Sequence, residues 1–197
     1  MAPTYCNCCA NGYSDSCMKA LPTTLQGVLL LEPRVFGDDR GFFLESYNRR
    51  TFADLGITVD FVQDNHSFSV RNTLRGIHYQ LRQPQGKLIR AIVGTILDVA
   101  VDLRRHSPTF GQAESFLLSD QNRHMAWIPA GFGHGFRVVS ETAHVTYKTT
   151  GFYSLPDERT ILWDDPDLRI DWQLDVSPIL SQKDKLGRRL RDSEIFE

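Results

Sequence analysis

Cysteine is almost absent from this chain beyond its first residues. All four cysteines (Cys6, Cys8, Cys9 and Cys17) fall in the first 17 of 197 residues. A fold built on disulfides spreads its cysteines along the sequence, so disulfides do not staple the globular part. A chain of 22.5 kDa buries roughly 70% of the surface its unfolded form exposes, and such a core needs no staple. Long apolar runs are missing as well. They stop at four residues, as at Val28 to Leu31, against the ~20 needed to span a bilayer. Nor is one sign of charge in excess, because 22 Lys and Arg oppose 24 Asp and Glu for a net −2. That balance excludes a hold on nucleic acid by bulk charge and leaves room for a local phosphate pocket. Residues 1–17 lack the basic start and apolar centre of a secretory leader. Their Cys-x-Cys-Cys run has neither the paired spacing nor the nearby histidine of a zinc site, so they read as an irregular tail. These features describe a soluble, cytoplasmic protein without nucleic-acid or membrane partners.

Helical periodicity is scarce too. Only 49–55 reads as a helix, ended by Gly56. Elsewhere, short apolar and β-branched runs alternate with turn signals about every ten residues. Strands are expected over 27–36, 41–47, 61–67, 73–80, 87–93 and 95–103, then over 114–118, 123–128, 135–139 and 143–149. The clearest, 95–102, puts Leu97, Val99 and Val101 on one face and Asp98 and Asp102 on the other. That alternation marks a half-buried antiparallel strand. Many short strands without helices between them predict an all-β sandwich or barrel, the jelly roll first among them.

Two histidine segments carry most of the chemistry. In Leu74-Arg75-Gly76-Ile77-His78-Tyr79-Gln80, read as a strand, Leu74, Gly76, His78 and Gln80 share one face and Arg75, Ile77 and Tyr79 the other. The segment from Pro129 to His134 has the spacing Pro-x-Gly-x-x-His, a half-motif of the cupins, small β-barrels whose interior often holds a metal. The other half, His-x-His with a nearby Glu, is missing, since His78 stands beside Tyr79 and Gln80. Scattered imidazoles do not make the three-ligand set of a catalytic metal. The reading is a polar barrel interior without a metal, with a metal-dependent cupin enzyme as the alternative.

Further motifs follow in order. They include Asp39-Arg40-Gly41-Phe42-Phe43-x-Glu45, the run from Phe61 to Ser67, Gln85-Gly86-Lys87, the run from Asp98 to Asp102, Ser107 to Gly111, Trp163-Asp164-Asp165-Pro166 and Leu180-Ser181-Gln182-Lys183-Asp184. From about Met18 to Leu190 the chain resembles the dTDP-4-dehydrorhamnose 3,5-epimerases, cupin-fold enzymes of dTDP-L-rhamnose synthesis. The resemblance implies an all-β, cupin-type jelly-roll barrel over 18–197, one epimerase domain with a short N-terminal tail and a small helical C-terminal segment.

It also implies a reaction. The substrate is a dTDP-linked 4-keto-6-deoxyhexose whose C3 and C5 protons are acidified by the C4 ketone. Removal of either gives an enolate that is reprotonated on the opposite face, with no cofactor and no metal. By the family pattern His78 is the base, Asp184 its carboxylate partner, Tyr147 the acid on the far face and Lys87 the cation for the enolate. Arg40, Arg75 and Lys183 match pyrophosphate-binding positions. Gln63, Asn65 and Glu45, with Asp64 between the first two, match the nucleotide pocket, and Tyr153 matches the ring that stacks on thymine. His134 and Glu158 complete the set. Without the resemblance, Lys148, Lys183 and Glu158 read as surface charges and Tyr153 as core filling, while Trp163 and Trp172 stay structural. Family members form homodimers that exchange N-terminal strands, so Arg40 and Glu45 are expected to serve the neighbour's pocket. The chain departs from the family in lacking the proline that commonly follows the Lys-Asp pair. Relatives with nearly the same motifs invert one carbon only, so a mono-epimerase stays open, as does a sugar-binding jelly roll without catalysis.

Overall fold

The computed structural model describes residues 17–197. The segment carrying Cys6, Cys8 and Cys9, most of the expected tail, lies outside the described residues.

In chain order the first strands are β1 (Met18–Leu21), β2 (Leu29–Pro33), β3 (Val35–Asp38) and β4 (Gly41–Leu44). Helix α1 (Arg49–Asp54) follows, with the Asn48 side chain accepting from the Arg50 N–H as its cap. Next come β5 (Gln63–Val70), β6 (Leu74–Gln80), β7 (Lys87–Val93) and β8 (Thr95–Asp102). The chain continues through β9 (Ala113–Ser119), β10 (Met125–Ile128), β11 (Phe132–Val138), β12 (Thr142–Thr149) and β13 (Glu158–Thr160). Helix α2 (Gln182–Lys185) is the expected helical element near the C-terminus. Among the described residues, no helix is long and apolar enough to cross a membrane.

The strands form a six-stranded sheet in the order β1-β2-β10-β7-β12-β5, a five-stranded sheet β13-β6-β11-β8-β9, and the hairpin β3-β4. Alternation sends one set of side chains from each large sheet into a shared core that includes Ile89, Ile96, Phe116, Phe136 and Val145. This is the cupin-type jelly roll. Outside the six-stranded sheet, α1 lays Phe52 against Leu88, Met125 and Trp127. Full burial of such a ring stabilises by ~1.5–3 kcal/mol. Outside the five-stranded sheet, C-terminal segments bring Leu168, Trp172 and Leu190 onto Val99 and Val101. The two tryptophans are structural, with Trp172 Nε1 donating to the Trp163 carbonyl at 2.7 Å.

Three expectations are corrected. Strand β8 is not half-buried: Asp98 and Asp102 are fully buried, because the C-terminal layer covers one face and the polar barrel interior takes the other. Residues 27–36 divide into two strands that pair with different partners, β2 with β1 and β10, and β3 with β4. Strict alternation along β6 also fails. Leu74 and Arg75 pair with Arg137 and Phe136, but His78 pairs with His134, so Gly76 and Ile77 share the single residue Gly135. The bulge leaves Leu74, Ile77 and Tyr79 in the outer core and turns Arg75 to the same side as His78. Gly76 permits this approach, since a Cβ there would stand 2.4 Å from Gly135 Cα.

Candidate active site

A cavity of about 830 Å³ opens between the two large sheets. On its five-stranded wall, His78 of β6 and His134 of β11 are direct register partners. His78 Nε2 lies 2.6 Å from Oδ1 of Asp184. Asp184 is buried at 2% exposure, where α2 and its Ser181 cap hold it. Ser181 Oγ donates to Asp184 Oδ2 at 2.6 Å and accepts from the Asp184 N–H at 3.2 Å. Burial alone would raise the Asp184 pKa, but the hydrogen bonds from His78 and Ser181 outweigh it and hold the carboxyl below its ordinary 3.8. Burial pushes the His78 imidazole below its ordinary 6.5; Asp184 opposes this, and the charges of Lys183 and Lys87 reinforce it. The ring is therefore neutral at pH 7, donates Nε2–H to Asp184 and keeps the Nδ1 lone pair for a proton.

The opposite wall belongs to the six-stranded sheet, where Tyr147 of β12 and Lys87 of β7 line the cavity. Burial raises the Tyr147 pKa, with the Arg75 charge acting against the rise and Glu158 adding to it, so the phenol is a proton donor. Burial brings Lys87 down to about 8, with Asp98 and Glu158 resisting and Lys183 assisting. At pH 7 the ammonium is still charged. A flat ligand between the walls meets a base on one face, an acid on the other and a half-buried cation.

The remaining lining suits a longer polar ligand. Arg75 is fixed by two hydrogen bonds to Ser69 Oγ, at 3.1 and 3.0 Å. Gln63 donates to Asn65 at 2.8 Å and accepts from the Tyr153 N–H at 3.2 Å. The exposed Tyr153 ring donates through its hydroxyl to Glu158, which also pairs with Lys183 at 2.7 Å. His134 is buried, with Nε2 at 2.7 Å from Oδ1 of Asp98. Among the described residues, no group of three or more His, Cys, Asp or Glu could hold a metal ion.

Eleven of the expected residues thus converge on one cavity: His78, Tyr147, Lys87, Asp184, Gln63, Asn65, Arg75, His134, Tyr153, Glu158 and Lys183. Three do not. Asp64 lies elsewhere: alternation on β5 turns it to the outer face, away from Gln63 and Asn65, where it pairs with Lys148 at 2.9 Å. Arg40 lies in the exposed β3-β4 turn, paired with Asp38. Glu45 accepts from Asn48 and Thr51 at 2.9 and 3.0 Å. Neither Arg40 nor Glu45 lines the cavity of its own chain. Sequence reasoning missed Ser69, Ser181 and Asp98 as supports. Alternation places Asp98 on the polar face of β8, a signal that marks a polar lumen as well as a solvent face.

Comparison with known proteins gives a consistent result. The family model described as dTDP-4-dehydrorhamnose 3,5-epimerase matches residues 22–192. Over 180 residues the chain is 57% identical to the dTDP-4-dehydrorhamnose 3,5-epimerase of Pseudomonas aeruginosa, covering 91% of this chain and 99% of that protein. Its fold is similar to the crystal structure of dTDP-6-deoxy-D-glucose-3,5-epimerase from Legionella pneumophila in complex with dTDP-4-keto-L-rhamnose, with TM-score 0.88, 44% identity and coverage of 90% and 95%. It is also similar to a 3'-monoepimerase from Streptomyces bikiniensis in complex with dTDP-quinovose, with TM-score 0.81, 32% identity and coverage of 86% and 87%.

Proposed function

The chain belongs to the dTDP-4-dehydrorhamnose 3,5-epimerase family, a family of isomerases, and we propose that it inverts C3 and C5 of dTDP-4-dehydro-6-deoxy-D-glucose to give dTDP-4-dehydro-L-rhamnose. The observation that carries this reading is the opposition of the His78–Asp184 pair on one sheet to Tyr147 on the other. Epimerisation moves protons and transfers no net electrons, so no redox cofactor is needed. His78 Nδ1 takes the proton from a carbon beside the C4 ketone, and Asp184 stabilises the resulting imidazolium. The C–H pair becomes the enolate, whose oxygen is met by the Lys87 ammonium in a buried site. Tyr147 then gives its proton to the opposite face of the carbon; the His78 imidazolium releases its proton to solvent, and solvent restores the phenol. One base serves both carbons if the sugar shifts between the two steps.

The nucleotide end uses other groups. Arg75 and Lys183 hold the pyrophosphate, Tyr153 stacks on thymine, and Gln63 and Asn65 bind the nucleoside. Glu158 sets the positions of Tyr153 and Lys183. Arg40 and Glu45 complete the pocket of a second copy in a two-fold homodimer. In support, Phe42 and Phe43 beside Arg40 are 57% and 60% exposed, an apolar hairpin that calls for a cover. The reaction belongs in the cytoplasm, because a charged nucleotide-sugar does not cross a bilayer unaided.

Proton NMR of the product tests the assignment. Incubation with the 4-keto-6-deoxyglucose nucleotide should give a sugar inverted at both carbons. Inversion at C3 alone would make this a mono-epimerase, as the similarity to the Streptomyces bikiniensis enzyme allows.

A further inference from the structure

Asp98 is fully buried, and only one of its carboxylate oxygens is partnered. Oδ1 accepts from His134 Nε2 at 2.7 Å, while the buried Oδ2 has no partner among the described residues. A carboxylate left so is costly, because its charge is removed from water without full hydrogen bonding. An asparagine would hold His134 through its carbonyl oxygen equally well. What the carboxylate adds is charge.

The cavity that His134 lines holds an unpartnered charge of the other sign. The Lys87 ammonium has no hydrogen-bond or ion-pair partner among the described residues, and Lys87 lines the cavity together with His134. Strands β7 and β8 are joined at Gly94 and belong to opposed sheets. This crossing sets Lys87 and Asp98 on facing inner walls.

We propose that Asp98 is a positioning residue for the epimerisation: one oxygen orients His134, and the charge of the other keeps the Lys87 ammonium protonated where the enolate oxygen develops. The proposal rests on the catalytic reading above. Burial drives Lys87 towards neutrality, to about 8, and the groups that act on it from surrounding elements are few. Asp98 on β8 is the strongest charge opposing that loss, Glu158 on β13 is next, and Lys183 on α2 acts the other way. His78 on β6 also shares its electrostatic environment with Lys87. Tyr147 titrates above its ordinary 10, leaving Lys87 as the first of these groups to change on the alkaline side.

The test is the pH profile of Asp98→Asn. In the wild type, kcat should fall on the alkaline side as Lys87 loses its proton. In Asp98→Asn that limb should move down by about one pH unit, the effect of removing one nearby opposite charge. KM should change little, because the nucleotide contacts lie elsewhere in the cavity. A folded Asp98→Asn protein whose limb coincides with the wild type, or whose kcat drops equally at every pH, overturns the proposal. Should the variant not fold, the wild-type protein gives the reciprocal reading. With carbon-13 in its aspartate carboxyls, one buried carboxyl resonance should inflect at the pH where Lys87 titrates, and Lys87→Met should remove the inflection. No such inflection also overturns the proposal. Failure of the catalytic reading is separate: a wild-type enzyme that exchanges no substrate proton with solvent.

Discussion

His78 and Asp184 are 106 residues apart in sequence, yet Nε2 of one lies 2.6 Å from Oδ1 of the other. That bond commits the imidazole to one tautomer and leaves Nδ1 as the base. His78→Asn should abolish proton abstraction, while Asp184→Asn should lose ~10²–10⁴-fold in kcat and keep the fold. The pH dependence has a definite sign. Because burial holds His78 below 6.5, the acid limb of kcat/KM should lie below that pH. Asp184 is the interaction that opposes the depression, so its removal should move the limb lower still. A limb that rises in Asp184→Asn would contradict the assignment.

Tyr147 lies on the wall opposite His78 and is held protonated by burial. Tyr147→Phe should therefore separate two events that the wild type couples. Deuterium should still exchange into the substrate through His78, while inversion falls by ~10²-fold or more. Mass spectrometry reads the first and NMR of the sugar the second. Equal loss of both would place Tyr147 outside the protonation step.

Arg40 has a 79% exposed side chain and does not line its own chain's cavity. If it completes a partner's pocket, Arg40→Ala and His78→Asn proteins should rescue each other. Equal mixing of such dimers leaves about a quarter of the pockets intact, so activity should reappear from two impaired parents. No recovery after unfolding and refolding together would argue for a self-contained pocket.

Asp102 supports a different prediction, about stability. Its carboxylate accepts from Arg104 at 2.9 and 2.7 Å, from Ser107 at 2.5 Å and from Thr109 at 2.6 Å. Burial would raise its pKa, but these bonds prevail and bring it down to about 2. A depressed carboxyl contributes stability above its unfolded value and loses it as pH falls to the folded one. The contribution, about 2 kcal/mol, should be complete above pH ~4 and lost between pH ~4 and pH ~2. Urea midpoints measured across that window should fall less in Asp102→Asn than in the wild type.

The strands were legible where alternation is strong, as in β8, β7 and β12. Alternation separates two faces but does not say which is wet, so the face carrying Asp98 and Asp102 reads as solvent-facing although it is buried. A polar lumen looks like a surface. The bulge at Gly76 left no periodic signal, so Arg75 was separated from His78 until β11 fixed the register. Met18–Leu21 is too short to alternate, and pairing with β2 makes it a strand. The pairing of His78 with Asp184 was reached through the family's motifs, since nothing local connects β6 to α2. Asp64 shows the reverse, a motif residue whose strand position turns it away from its neighbours' cavity.

The central claim is that one base and one acid on opposed sheets invert two carbons, and solvent isotope tests it most directly. The wild-type enzyme, incubated in deuterium oxide with dTDP-4-dehydro-6-deoxy-D-glucose, should deliver product carrying deuterium at both C3 and C5. Added chelator should not alter the rate. Deuterium at one carbon only after prolonged incubation, or at neither despite tight binding of the nucleotide-sugar, would contradict it.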